Sequence, residues 1–173
     1  RQSNHLYRSV TRPRGEPTAS REWRNLLLLR KLGIETPEPV FHGTRKGRSG
    51  IEAVLVTREL SGYTSLDDIE IDHPVVKASI ALTLGAMLGR LHSARLQHGC
   101  LYGKHVMIRA DSGGTIRIAL IDLEKMRFRL TRRQAAAHDL AQLYRRQRFL
   151  TPDEWRVLVD AHSRSLTGLP ADP

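Results

Sequence analysis

Apolar spacing divides the chain into a short list of elements. Trp23, Leu26, Leu27 and Arg30 recur at helical intervals, which predicts a helix over residues 18–32 with Thr18 as N-cap and Gly33 at its stop. A strand is expected before it, over residues 5–10, broken by Pro13, Gly15 and Pro17. Residues 40–44 and 51–59 read as two antiparallel strands around Lys46-Gly47-Arg48-Ser49-Gly50. Val54, Leu55 and Val56 make the second of them a central, buried strand in this reading. A helical turn is expected at 66–69. Residues 74–94 are apolar nearly all round and predict the longest helix, buried at the centre. Residues 106–109 and 116–123 are β-rich and flank Asp111-Ser112-Gly113-Gly114, a hairpin signal. Two last helices open at Thr131, with Gln134 three residues on, and at Thr151-Pro152-Asp153-Glu154. Trp23 and Trp155 are expected as core aromatics. The order is helix, hairpin, buried helix, loop, hairpin, two helices: an α+β chain. It has neither the strand–helix alternation nor the glycine fingerprint of a dinucleotide fold.

Composition narrows the class. With 27% charged and 40% apolar residues, 173 residues suit one globular domain rather than a disordered chain. The net charge of +10 points to phosphorylated partners: nucleic acid, nucleotide or an anionic membrane surface. Only Lys31, Lys46, Lys77, Lys104 and Lys125 are lysines, so arginine, whose rigid fork suits phosphate and carboxylate, dominates the basic set. Aromatic residues at 5%, without stacking or helix-turn-helix motifs, argue against a nucleic-acid binder. A single cysteine excludes an internal disulfide and a cysteine-rich zinc site. No uninterrupted apolar run approaches the ~18–20 residues of a bilayer span. The start, Arg1-Gln2-Ser3-Asn4-His5, has no signal-peptide pattern, so a cytoplasmic location is the expectation. It also lacks an initiator Met, and residues further upstream are expected.

The chemistry gathers in one octapeptide and one strand. His98-Gly99-Cys100-Leu101-Tyr102-Gly103-Lys104-His105 is followed, after the hairpin, by Ala119-Leu120-Ile121-Asp122-Leu123-Glu124. This is the layout of protein-kinase-like phosphotransferases, in which H-x-D-x-x-x-x-N supplies a base and a metal ligand and a second Asp holds magnesium. His98 and Asp122 are in place. Cys100 stands at the base position and His105 at the Asn position. A thiol is a weak hydrogen-bond partner, with a reference pKa of about 8.5. Two readings therefore stay open: slowed transfer, because phosphoryl transfer depends mainly on positioning and charge, or a pseudokinase with no turnover.

Taken together, RQSNH (1–5), REWRNL (21–26), GIETPEPVFHG (33–43), LVTREL (55–60), LHSARLQHGCLYGKHV (91–106), LIDLEKMR (120–127) and HDLAQLYRR (138–146) resemble the Kdo/WaaP-type lipopolysaccharide kinases, closest to their InaA-like branch. The resemblance runs to about residue 166. It implies a protein-kinase-like fold, mostly the large helical lobe (61–173) with a partial N-terminal lobe (1–60) lacking the glycine-rich loop and the phosphate-binding lysine strand. It implies ATP and magnesium as cofactors, and as acceptor an anionic sugar of the lipopolysaccharide core, met by peripheral contact with the cytoplasmic face of the inner membrane.

The resemblance also assigns roles. Asp122 would hold magnesium, the alternative being an Asp that caps a turn. Glu22 resembles the helix glutamate that pairs with the phosphate-binding lysine; otherwise it is a surface acid. His105, matching the heptose-kinase branch, would ligate the metal, directly or through water, or merely pack. His98 would hold the loop, and Asp139 would anchor its amides. Glu59 and Leu60 fall where the adenine-contacting linker would lie, and Lys104 would contact a phosphate unless simply solvated. Arg127, Arg129, Arg132 and Arg133 follow the metal strand, where an anionic acceptor could dock.

Overall fold

A computed structural model describes residues 6–9, 12–47, 50–111 and 114–168. The stretch RQSNH and both ends of the expected strand over 5–10 lie outside the described residues. Within it, β1 (Leu6–Ser9) pairs antiparallel with β2 (Arg12–Pro17). β2 runs straight through the residues expected to break it. A two-stranded ribbon tolerates proline because alternate N–H groups need no ladder partner, and Gly15 takes φ 81°.

The first helix, α1 (Thr18–Lys31), starts where expected, but Pro17 is its N-cap and no side chain caps it; Thr18 is already helical. Gly33 stops it at φ 66°, as anticipated. Its buried face is Arg21, Leu26 and Leu29, while Leu27 and Arg30 face outward. Trp23 is half-buried, stacked on His42 with ring centroids 5.6 Å apart, and so is not a core residue.

β3 (Pro39–Gly47) and β4 (Gly50–Thr57) form a two-stranded antiparallel sheet. Here the sequence reading fails: Val54 and Val56 are 50% and 45% exposed. β4 has one described neighbour and no covering layer on that face, so its apolar residues stand open with Val40 and Phe41. A concavity of about 410 Å³ lies there, lined by Phe41, Gly43, Thr44, Arg45, Glu52, Ala53 and Val54; it contains none of the expected site residues.

The catalytic layout rests on a three-stranded antiparallel sheet, β5 (Thr64–Ser65), β7 (Val106–Ala110) and β8 (Ile116–Leu120), in the order β5-β7-β8. The expected helical turn after β5 is a hydrogen-bonded turn, closed by Asp68 N–H to the Ser65 carbonyl at 3.1 Å. Glu35 forms a parallel bridge to Ala119, and Leu120 N–H donates to the Glu35 carbonyl at 3.0 Å. Arg117 clamps the Glu35 carboxylate at 3.0 and 3.1 Å. The end of α1 is thereby tied to the strand that leads into Asp122.

α2 (Pro74–Ser93) is the central helix. Ile80, Leu84, Leu88 and Leu91 are fully buried, whereas Val75 and Leu82 are exposed, so this apolar helix is not buried all round. By length (20 residues) and mean hydropathy (1.3) it could cross a membrane, contrary to the sequence expectation, but here it is a core helix. It packs on α4 (Pro152–Thr167), where Gly89 allows close approach: a Cβ there would lie 2.6 Å from the His162 carbonyl. Both cap threonines act as read, but only one of the two expected capping boxes is complete. Thr131 Oγ1 accepts from Gln134 N at the start of α3 (Arg132–Arg146), and Thr151 and Glu154 cap α4 reciprocally. Trp155 is half-buried against Tyr144. β6 (Leu96–Gln97) pairs with β9 (Arg127–Phe128), fastening the entry of the octapeptide to the segment beyond Asp122.

Candidate active site

Asp139, on the buried face of α3, organises the octapeptide from beneath. Its Oδ2 accepts from the His98 N–H at 2.6 Å and its Oδ1 from the Gly99 N–H at 3.0 Å. His92 Nε2 lies 3.2 Å from Oδ2 and must donate, since an ionised carboxylate only accepts. Burial would raise the Asp139 pKa, but the ring of His92 and the two amides outweigh it and hold the carboxyl below its ordinary range. His92 Nδ1 in turn meets His162 Nε2 from α4 at 2.8 Å. One turn along α3, Gln142 Oε1 accepts from Leu101 N–H at 2.7 Å, so three loop amides hang on α3, braced by His92 of α2 and His162 of α4. Gly99 adopts φ 83°, and a Cβ there would lie 2.8 Å from the Lys125 carbonyl.

The two halves of the layout meet through histidines. Buried His98 accepts from Cys100 N–H at Nδ1 (3.3 Å) and donates from Nε2 to the Ile121 carbonyl (3.1 Å), the bonding of a neutral ring. Burial lowers its pKa, in keeping with that tautomer. The His105 carbonyl accepts from Ile121 N–H at 3.1 Å. Asp122 then turns left-handed, φ 59° and ψ 57°, a conformation costly for a residue with a Cβ. His105 Nδ1 donates to the Cys100 carbonyl at 2.7 Å, so Nε2 faces Asp122 Oδ2 at 3.2 Å with either a proton or a lone pair.

Glu22 completes an acidic face. It is half-buried, accepts from the Leu123 backbone, and has its pKa raised by burial first and then by Asp122 and Glu124. Among the described residues no three His, Cys, Asp or Glu side chains stand close enough to share one ion; what the site offers a cation is the Asp122 carboxylate with His105 Nε2 3.2 Å from it, and Glu22 near enough to feel its charge. The carboxylates suit magnesium, and the imidazole suits it less well.

The structure thus brings Glu22, His98, Cys100, His105, Asp122 and Asp139 together. Cys100 is buried, with the Lys125 ammonium against its sulfur; that contact heads the causes raising the Lys125 pKa. Lys104 is exposed in the 3-10 turn Gly103–His105, with no ion pair among the described residues. Glu59, exposed, and Leu60, half-buried, lie in the connection after β4, and no hydrogen bond ties their side chains to this cluster. The arginines from Arg127 onward follow on β9 and the start of α3.

Sequence reading missed Arg21 and Asn25, which flank Glu22 on one face of α1. Arg21 donates to the Met126 carbonyl and Asn25 to the Leu123 carbonyl, each at 2.7 Å, so α1 grips the backbone after Asp122. Their one-turn spacing was the available signal. It also missed Lys125, His92, His162 and Gln142. Among these only Gln142, three residues beyond Asp139, carries a positional hint.

Known proteins resemble this chain in sequence and in fold. The model of the lipopolysaccharide kinase (Kdo/WaaP) family matches residues 1–162. Protein InaA of Escherichia coli K12 is 32% identical over 158 residues, covering 88% of this chain and 71% of InaA. The lipopolysaccharide core heptose(I) kinase WaaP of Pseudomonas aeruginosa is 27% identical over 137 residues, and the aligned part is about half (51%) of that protein. Among solved structures, WaaP in complex with acyl carrier protein superposes with a TM-score of 0.68 at 24% identity, over 88% of this chain and 67% of WaaP. The Rio2 kinase–ADP/Mg²⁺–phosphoaspartate complex from Chaetomium thermophilum gives 0.59 at 17% identity, over 97% of this chain and 60% of Rio2. The fold is α+β and protein-kinase-like, and the chain belongs to the lipopolysaccharide kinase (Kdo/WaaP) family.

Proposed function

We propose that the protein is a magnesium-dependent phosphotransferase that moves the γ-phosphoryl group of ATP to a hydroxyl of an anionic lipopolysaccharide-core sugar, working at the cytoplasmic face of the inner membrane. In this reading residues 1–60 are a partial N-terminal lobe and 61–173 the helical lobe. The observation that carries it is Asp122, held left-handed at the end of β8 with its carboxylate against His105 and beside Glu22. Such strain at a functional position persists only where the surroundings enforce it. Here His98, His105, Arg21 and Asn25 enforce it through the backbone on either side.

Asp122 would hold magnesium, with His105 and Glu22 near it, and the ion would supply positive charge to the phosphate oxygens while the bond from Pγ to its leaving oxygen breaks. The chain's own work is positioning. Asp139 fixes the loop, and Lys125 and Lys104 offer cations toward the phosphates. The acceptor oxygen bonds to Pγ beside the loop that carries Cys100. The hydroxyl proton leaves late in a loose transition state, to a phosphate oxygen or to water, so a thiol at the base position slows transfer without abolishing it.

The second reading, a pseudokinase that binds without turnover, is favoured by one observation: Cys100 is 5% exposed, with its sulfur against Lys125 rather than open to an acceptor. Transfer of labelled γ-phosphate to lipopolysaccharide core acceptors decides between them. Slow transfer by the parent, lost in Asp122→Ala and accelerated in Cys100→Asp, supports the kinase reading. Transfer only after Cys100→Asp supports the pseudokinase. No transfer by any variant refutes the kinase reading.

A further inference from the structure

The segment just beyond the metal strand alternates cations with apolar residues: Arg127-Phe128-Arg129-Leu130-Thr131-Arg132-Arg133. Its two apolar side chains are not turned inward. Phe128 is 65% exposed, and Leu130, at 84%, is more exposed than any other described large apolar residue. Arg127, Arg132 and Arg133 are exposed around them. No acidic residue occurs between Glu124 and Asp139, and Asp139 is fully buried. Nothing within the segment therefore neutralises its charge.

The segment is also held in place. Leu96 and Gln97 of β6 pair with Phe128 and Arg127, and Arg129 N–H donates to the Arg95 carbonyl at 2.8 Å. β6 runs directly into His98, so the exposed Phe128 and Leu130 are fixed relative to the catalytic loop. Arg95, exposed at this junction, adds another cation.

We infer that residues 127–133, with Arg95, form the surface by which this protein rests on an anionic lipid bilayer. Phe128 and Leu130 enter the headgroup–acyl boundary, and the arginines meet lipid phosphates. Apolar side chains ringed by cations with no acids are the composition that favours such an interface over a neutral one. The other exposed apolar face, on β3 and β4, is not free of acids: Glu52 stands there paired with Arg45. The surface would set the mouth above Cys100 and Asp122 at a fixed height over a membrane-held acceptor. The inference draws that purpose from the proposed kinase reading, but its test contains no nucleotide, so the two can fail separately.

The test is flotation of the protein with vesicles of phosphatidylethanolamine and phosphatidylglycerol, against pure phosphatidylcholine, at low and high salt. The parent is expected to float with the anionic vesicles only. Each arginine near an anionic surface contributes about 1 kcal/mol, or about fivefold, so Arg132→Ala with Arg133→Ala should weaken binding roughly 25-fold and flatten its salt dependence. Phe128→Ser with Leu130→Ser should weaken it at least about tenfold while keeping the salt dependence. Phe128→Trp should bind like the parent and show a blue-shifted emission on anionic vesicles, read as a difference from the parent's two tryptophans.

Failure of the parent to bind anionic vesicles overturns the inference, as does binding that survives both double variants. Equal binding to phosphatidylcholine overturns the role of the arginines. Binding of a soluble acidic protein that the double variants abolish, with vesicles ignored, assigns the surface to a protein partner and overturns the membrane assignment.

Discussion

Replacing Asp139 with asparagine keeps its shape and removes its charge, and so isolates what holds the catalytic loop. The carboxylate is completely buried and accepts from His98 N–H, Gly99 N–H and His92 Nε2, with His138 Nδ1 at 3.3 Å. An asparagine has one acceptor oxygen. Set toward His98 and His92, it turns its NH₂ on the Gly99 N–H, leaving donor against donor. One orphaned buried donor costs about 1–3 kcal/mol, and the two surviving bonds each fall from charged to neutral strength, about 1 kcal/mol apiece. The sum, about 3–5 kcal/mol, agrees with the loss seen when one partner of a buried pair is removed. A domain of this size is stable by about 5–15 kcal/mol, so the variant should still fold. With a urea slope of about 2 kcal/mol/M, its unfolding midpoint should drop by about 1.5–2.5 M. Amide exchange at His98 and Gly99 should accelerate beyond the global change. The exposed Asp153→Asn is the control, with an expected shift of under about 0.5 kcal/mol. A midpoint for Asp139→Asn close to the parent's, with those two amides still protected, would refute the anchoring argument.

Two further outcomes follow from the same site. His162 has its pKa lowered to about 4, by burial first and then by His92. Between pH 6.5 and 4 the unfolded chain takes up a proton that the native ring refuses, so stability drops as the pH is lowered through that window, by less than the ~3 kcal/mol of an unscreened shift because solvent reaches part of the ring. His98, also lowered by burial, adds in the same sense. Urea midpoints at several pH values check this, and His162→Asn should flatten the slope; an unchanged slope contradicts it. Glu22→Gln removes a carboxylate that burial, Asp122 and Glu124 all disfavour in its charged form. It should therefore melt higher without metal yet bind magnesium about tenfold more weakly, a pairing that thermal melts with and without magnesium would reveal.

Much of this site could be read in the sequence because it is local. An octapeptide and a strand ending in Asp carry their roles in fixed spacing, and His98, Cys100, His105, Asp122 and Asp139 all came together. The cap threonines and the stop at Gly33 were legible for the same reason. The misreadings concern partners far along the chain. Apolar Val54 and Val56 predict burial only if something covers them, and in the structure they stand on an open two-stranded sheet. β6 and β9 are two residues each, too short for any periodicity, yet they fasten the loop. Arg21 reaches a carbonyl 105 positions away, and His162 finds His92 across 70, contacts that no local pattern encodes. Glu59, Leu60 and Lys104 were placed by resemblance alone, and their side chains show no bond to the cluster.

The central claim is that Asp122 anchors magnesium-bound nucleotide, and calorimetric titration of Mg·ATP into the protein tests it most directly, with Asp122→Ala and a metal-free run alongside. The account predicts saturable binding that requires magnesium and disappears in Asp122→Ala. Binding that persists in the variant, or no binding by the parent, would contradict it.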